Sequence, residues 1–225
     1  MVLQEFGLMD PRAVEGFPVP SGPVVAAAAL TPDALRARFQ RPPPWQPDVS
    51  REPRFSAQPI RPAAVLVGLV QRAEPMVLLT QRTAHLRSHS GQVAFPGGKA
   101  DDGDSGPIAT ALREAHEEVG LPPSMVEVLG TLPVYTTGSA YQVTPVVGLL
   151  PPDCPVVPNP HEVESVFEVP LRYLMNPANH RIHRVNWQGT PREWYSMPYH
   201  DGVAERYIWG ATAGMLRNLY AFLRV

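Results

Sequence analysis

A chain of 225 residues, 44% hydrophobic and 18% charged, has the length for one domain with an extension and enough apolar content to bury a core. Its formal net charge of −2 lacks the basic excess of a sequence-independent nucleic-acid binder, and its longest apolar run, Val24 to Leu30, is too short to span a bilayer. The lone cysteine, Cys154, excludes an internal disulfide and a Cys-based zinc cage. Residues 1–16 carry no basic-then-apolar leader, so a cytoplasmic protein without membrane or nucleic-acid partners is expected.

Residues 1–59 hold eleven of the 28 prolines. Proline removes a backbone donor and fixes φ, so this stretch reads as an N-terminal extension whose first twenty or so residues form a poorly ordered tail. A short helix is predicted near 31–39, with Thr31 as N-cap, Pro32 at the first helical position, and Leu35 and Phe39 on one face. A single domain is expected over 60–225. Ala63 to Val70 and Met76 to Thr80 read as adjacent strands, and Val126 to Pro133 with Gln142 to Leu150 as a further pair. Val163 to Val169 reads as a short strand stopped by Pro170, and Arg181 to Trp187 with Arg192 to Met197 as a hairpin across Gly189. Ile208, Thr212, Met215, Leu219 and Phe222 recur at helical spacing, which predicts a terminal helix over 208–223. Many short strands with two clear helices make a mixed α+β layer arrangement.

The mid-chain helix carries the chemistry. Pro107 suits a first turn and Gly120 a C-terminal stop, which predicts a helix over 107–119. Ile108, Leu112, Ala115 and Val119 fall in one stripe expected to face a core, while Glu114 and Glu118 stack on another flank with Glu117 beside them. Like charges four apart repel on a helix, and acids sit badly near its negative C-terminal end. A hard divalent ion, Mg²⁺ above all, turns that repulsion into coordination shared with substrate phosphates. Upstream, Phe95-Pro-Gly-Gly98 reads as a tight turn leading into an acidic loop with Asp101, Asp102 and Asp104. Glycine there lets the backbone approach an ion or a phosphate closely.

With these residues the sequence resembles the Nudix hydrolase family, whose signature is G-x5-E-x7-R-E-U-x-E-E-x-G-U. Arg113-Glu-Ala-His-Glu-Glu-Val-Gly-Leu121 matches its second half except at Ala115, a small apolar stand-in for the aliphatic U. The first half departs from it, with Asp104 in the place of the first glutamate and one extra residue between Gly98 and Arg113. The segment from Leu78-Leu-Thr-Gln-Arg82 through Leu86-Arg-Ser-His-Ser-Gly91 to Phe95-Pro-Gly-Gly98 looks like that of the coenzyme A pyrophosphatase branch, which also carries the extra residue. The resemblance spans about residues 61–223.

That resemblance implies an α/β/α sandwich around a mixed sheet and hydrolysis of a nucleoside diphosphate linked to a further moiety. In this branch the substrate is coenzyme A, cut to 4′-phosphopantetheine and adenosine 3′,5′-bisphosphate. ADP-ribose or a dinucleotide is the competing substrate, and a non-catalytic ligand-sensing module the competing class. The implied cofactor is Mg²⁺ or Mn²⁺, held by Glu114 and Glu118 with the Gly98 carbonyl. Glu117 shares a second ion or acts as base, and Glu162, just before the strand ending at Val169, competes as base. Arg113 is expected to orient the glutamates by ion pairing. Arg82 and Arg87 are expected to bind the substrate polyanion, with Gln92 lining the site. His89 and His116 receive no role, and a homodimer is left open.

Overall fold

The computed structural model describes residues 10–19, 22–83, 91–187 and 189–225. In chain order the regular elements are β1 (Gly16–Pro18), α1 (Pro32–Gln40), β2 (Arg61–Val70), β3 (Met76–Arg82), β4 (Val93–Ala94), β5 (Gly97–Lys99) and α2 (Pro107–Val119). There follow β6 (Glu127–Thr131), β7 (Tyr135–Thr136), β8 (Tyr141–Leu150), β9 (Val163–Pro170) and the single-turn α3 (Leu171–Leu174). The chain closes with β10 (Arg181–Trp187), β11 (Thr190–His200), β12 (Glu205–Trp209) and α4 (Gly210–Leu223).

Among the described residues, eight strands form one mixed sheet whose main path runs β4-β3-β2-β8-β6, with β5 on β2, β7 on β8 and β9 on β3. The central pair β2 and β8 is parallel, in register from Arg61 opposite Tyr141 to Val70 opposite Leu150. A smaller antiparallel sheet runs β1-β10-β11-β12. Side chains alternate across a strand, and the large sheet uses both faces. Ala64, Leu66, Val70, Leu78, Val146 and Leu150 pack with Ala111, Ala115 and Val119 of α2. Val67, Leu69, Val77, Leu79, Val147 and Leu149 face the other way, into the core shared with α4. The result is the expected α/β/α sandwich.

Helix α4 is buried all round, from Thr212 to Leu223. The sheets cover part of it and the N-terminal extension covers the rest. Tyr220 donates its hydroxyl to the Pro23 carbonyl at 2.8 Å, Asn218 bonds both backbone groups of Val49, and Phe39 and Trp45 lie against Phe222 at 4.8 and 5.0 Å between ring centres. Its buried cation is matched too, since Arg217 pairs with Asp48 at 2.8 Å. Thr31 caps α1 by accepting from the Ala34 amide, and Leu35 from that helix is fully buried in the same core.

Four expectations are corrected. Ile208 belongs to β12, opposite Met197 on β11, and the helix starts at Gly210; an apolar run alone does not separate a buried strand from a helix. Ile108 is exposed, and the buried face of α2 runs instead through Thr110, Ala111, Ala115, Glu118 and Val119. Small residues on that face let the helix sit close to Ala64. Gly97 and Gly98 are not a turn but part of β5, antiparallel to Ala63–Val65. Within the expected tail, Gly16–Pro18 pairs with Arg181–His183 as an edge strand, where proline is tolerated because one side of its backbone needs no partner.

Candidate active site

Helix α2 ends as its sequence dictates. Pro107 opens it and Gly120 adopts a left-handed conformation with φ of 66° at its C-terminus. Its glutamates differ sharply in setting. Glu118 is 2% exposed, its Oε2 accepting from the Gly97 amide at 3.0 Å and its Oε1 from Arg82 Nη1 at 3.0 Å. Burial, opposed by Arg82 and the Gly97 amide, pushes its carboxyl up to about 7, with Glu162 and Glu114 adding like charge. Glu114 is also shifted upward, chiefly by desolvation, while Glu117 is more exposed.

Arg113 organises this flank. Its Nη1 reaches Glu114 at 3.0 Å and Glu117 at 3.1 Å, and its Nη2 donates to the Lys99 carbonyl at 2.9 Å. Its Nε and Nη2 grip the two oxygens of Asp104, each at 3.0 Å, a planar fork-to-fork contact. Asp104 also accepts from Thr110 Oγ1 at 2.8 Å and from the Asp101 amide at 3.0 Å. These bonds, Arg113 foremost, hold its carboxyl well below the usual carboxylate range. The aspartate in the glutamate's place therefore anchors the arginine and takes no part in lining the cavity.

Gly98 faces Glu114 so closely that a Cβ there would lie 2.5 Å from the carboxyl carbon. A side chain there would push the Glu114 carboxylate aside, and the residues that meet are those expected to share an ion. Glu162 precedes β9, its carbonyl accepting from the Thr83 amide at 3.0 Å, and lines the same cavity as Glu114, Glu117 and Glu118. Arg82 and Gln92 line it as well, and Arg82 Nε is buried with no hydrogen-bond partner among the described residues. Arg87 and His89 lie outside the described residues.

The cavity measures about 850 Å³. Among its described lining residues six acids (Glu52, Asp101, Glu114, Glu117, Glu118 and Glu162) face three cations (Arg82, Lys99 and Arg113). A polyanion does not enter such a place unaided, and the donor set of carboxylates beside a glycine carbonyl is that of a hard divalent ion. The site thus fits such an ion, although among the described residues no three acidic, His or Cys side chains already converge as a ready cage. Glu114 and Glu118 are instead held by arginines.

Sequence reasoning missed the remaining walls. Glu52, Phe55 and Ser56 come from the extension, Trp209 from the end of β12, and Thr212 and Met215 from the start of α4. Neither stretch carries a motif, and only the folded chain brings them beside β2 and β8.

The NUDIX domain is recognised over residues 59–196. The chain is 45% identical over 192 residues to a protein named Uncharacterized Nudix hydrolase NudL from Shigella flexneri serotype 5b (strain 8401), covering 85% of this chain and 94% of that one. The protein of that name from Escherichia coli (strain K12) matches at the same identity and coverage. A MutT/nudix family protein from Enterococcus faecalis is a more distant likeness, 17% identical with a TM-score of 0.45 over 86% of this chain and 68% of its own. Matched domain, close relatives and the clustered signature glutamates agree: this chain belongs to the Nudix hydrolase family.

Proposed function

We propose that the protein hydrolyses the diphosphate linkage of coenzyme A or its derivatives, releasing 4′-phosphopantetheine and adenosine 3′,5′-bisphosphate, with Mg²⁺ or Mn²⁺ as cofactor. The observation that carries the hydrolytic reading is the buried Glu118, set among like charges at the Gly97–Gly98 backbone of an acid-rich cavity. Support for coenzyme A in particular is the Leu78–Gly98 sequence segment, of which Arg82 lies in the cavity.

Glu114, Glu118 and the Gly98 carbonyl would hold the ion, with Glu117 at hand for a second. When bound, it neutralises the phosphate oxygens and lowers the pKa of a water. Arg113 fixes the directions of Glu114 and Glu117 through its hold on Asp104. Arg82, on the cavity wall, stands where a phosphate oxygen would meet it. Either Glu117 or Glu162 accepts the proton of the attacking water. A lone buried cysteine suits a reducing, cytoplasmic setting.

The test is hydrolysis of coenzyme A and ADP-ribose side by side, with Mg²⁺, Mn²⁺ or chelator. Adenosine 3′,5′-bisphosphate is expected from coenzyme A in the presence of either ion, with several orders of magnitude lost in Glu118→Gln. Faster cleavage of ADP-ribose would reassign the substrate. Undiminished turnover in Glu118→Gln, or in chelator, would overturn the metal assignment. The pH–rate profiles of Glu117→Gln and Glu162→Gln then identify the base, as the variant that loses the acidic limb.

A further inference from the structure

We infer that the end of the cavity remote from the glutamates is a subsite for the uncharged arm of the substrate, with the extension segment Ser50 to Ser56 as its outer wall. This rests on the diphosphatase reading for what the arm is attached to.

The segment is fastened to the β7–β8 turn by backbone bonds on both sides of Thr136: its amide donates to the Ser50 carbonyl at 2.9 Å, and its carbonyl accepts from the Glu52 amide at 2.8 Å. The Phe55 and Ser56 amides both donate to the Gly138 carbonyl, at 3.0 and 3.1 Å. Glu52 locks the turn from the other direction, accepting from the Tyr135 hydroxyl at 3.1 Å and from the Gly138 amide at 2.9 Å. Gly138 is the close-approach point. A Cβ there would lie 2.5 Å from the Phe55 ring, so the ring closes directly onto the turn, while the Arg192 guanidinium covers it at 5.5 Å. An aromatic side chain still 36% exposed is thus held by bonds and packing against the cavity.

Its distance from the chemistry follows from the sheet. β5, which carries Gly98, lies beside β2, then β8, then β7. Three strand spacings make roughly 14 Å, the reach of a diphosphate plus the group attached to it. Ala63 and Val65 of β2 and Tyr141 and Val143 of β8 form the floor between. Charge divides along the same line. Arg82, Lys99 and Arg113, the described lining cations, stand on β3, β5 and α2. The far end offers Phe55 and Tyr141 with the hydroxyls of Ser56, Thr137 and Ser139. The acid among its described residues, Glu52, has both oxygens engaged within the wall. Aromatic faces with scattered hydroxyls take a neutral group carrying amides or a base.

Two uncharged fragments, pantetheine and adenosine, share this chemistry and distinguish its source. Each is titrated calorimetrically into the full chain, into Phe55→Ala and into Phe55→Tyr. One fragment is expected to bind the parent weakly, to lose at least about fivefold in affinity with alanine, and to recover with tyrosine. In the matched kinetics, Phe55→Ala raises KM for the whole substrate while kcat holds, a split that general loosening of the fold would not give. Failure of both fragments to bind the parent, or equal binding by Phe55→Ala, overturns the subsite. Since neither fragment carries a phosphate, a chain that binds one of them but cleaves no diphosphate would refute the hydrolase reading and leave the subsite standing.

Discussion

His180 gives a stability prediction whose size can be worked out from its surroundings. Its ring is fully buried, with Nε2 at 2.7 Å from the Leu174 carbonyl and Nδ1 at 3.0 Å from Arg217 Nη1. Arg217 can only donate, so Nδ1 is the acceptor, Nε2 carries the proton, and the imidazole is neutral. Burial lowers its pKa from 6.5 to about 4, with Arg217 contributing in the same direction. The folded state therefore holds fewer protons than the unfolded one between these two values. Stability is fully present above pH 6.5 and is lost as pH falls toward 4, by about 3 kcal/mol in all and at most about 1.4 kcal/mol per pH unit. Other groups titrate in the same window: His183 is pushed down by burial, whereas Glu118, raised to about 7, tilts the curve the opposite way. The clean quantity is the difference between parent and His180→Gln, which keeps a donor toward Leu174 and cannot ionise. Denaturant unfolding at intervals from pH 7.5 to pH 4 should show the variant less stable at neutral pH by about 1–2 kcal/mol. The gap should then shrink and reverse as the medium is acidified. Parallel stability curves across that range would refute the assignment of a neutral, charge-excluding His180.

Three further outcomes are expected. Gly98→Ala should fold normally but weaken Mn²⁺ binding by about tenfold or more, because the new methyl must displace the Glu114 carboxylate; electron paramagnetic resonance titration checks this, and unchanged affinity would remove Gly98 from the site. Leu35→Ala should destabilise the whole protein by about 2–5 kcal/mol, read as a shifted but still single denaturant transition; a loss confined to the extension would mean that α1 folds apart from the core. Lys99 is the sole lysine of the chain, exposed and on the cavity wall, so an amine-reactive reagent should give one internal adduct by peptide mass mapping. Saturating coenzyme A with Mg²⁺ should slow that reaction; labelling at an undiminished rate would place Lys99 off the phosphate path.

What could be read in advance depended on whether the cause was local. The bounds of α2 were legible because Pro107 and Gly120 act on their own neighbours, and the same holds for Thr31 at the start of α1. The flank shared by Glu114, Glu117 and Glu118 follows from helical spacing alone. By contrast, Gly97-Gly98 has no strand propensity, and its place in β5 is imposed by Ala63–Val65, more than thirty residues earlier. Ile108 looked like core because it shares a period with Ala115, yet the sheet meets the helix one step round, at Ala111 and Glu118. The Arg82–Glu118 pair spans 36 positions, and the contacts that bind Glu52 to Tyr135 and Gly138 span more than eighty. No spacing rule reaches that far. The pairing of Arg113 with the glutamates was visible, but its deeper anchor in Asp104 became evident only once the loop had closed.

The recognised domain, 59–196, contains every candidate ligand for the metal, whereas Phe55 and Trp209 stand outside it on either flank. Part of the cavity wall is therefore encoded outside the stretch that carries the candidate metal ligands. Substitution in the two flanks would reshape that wall while leaving every candidate metal ligand in place.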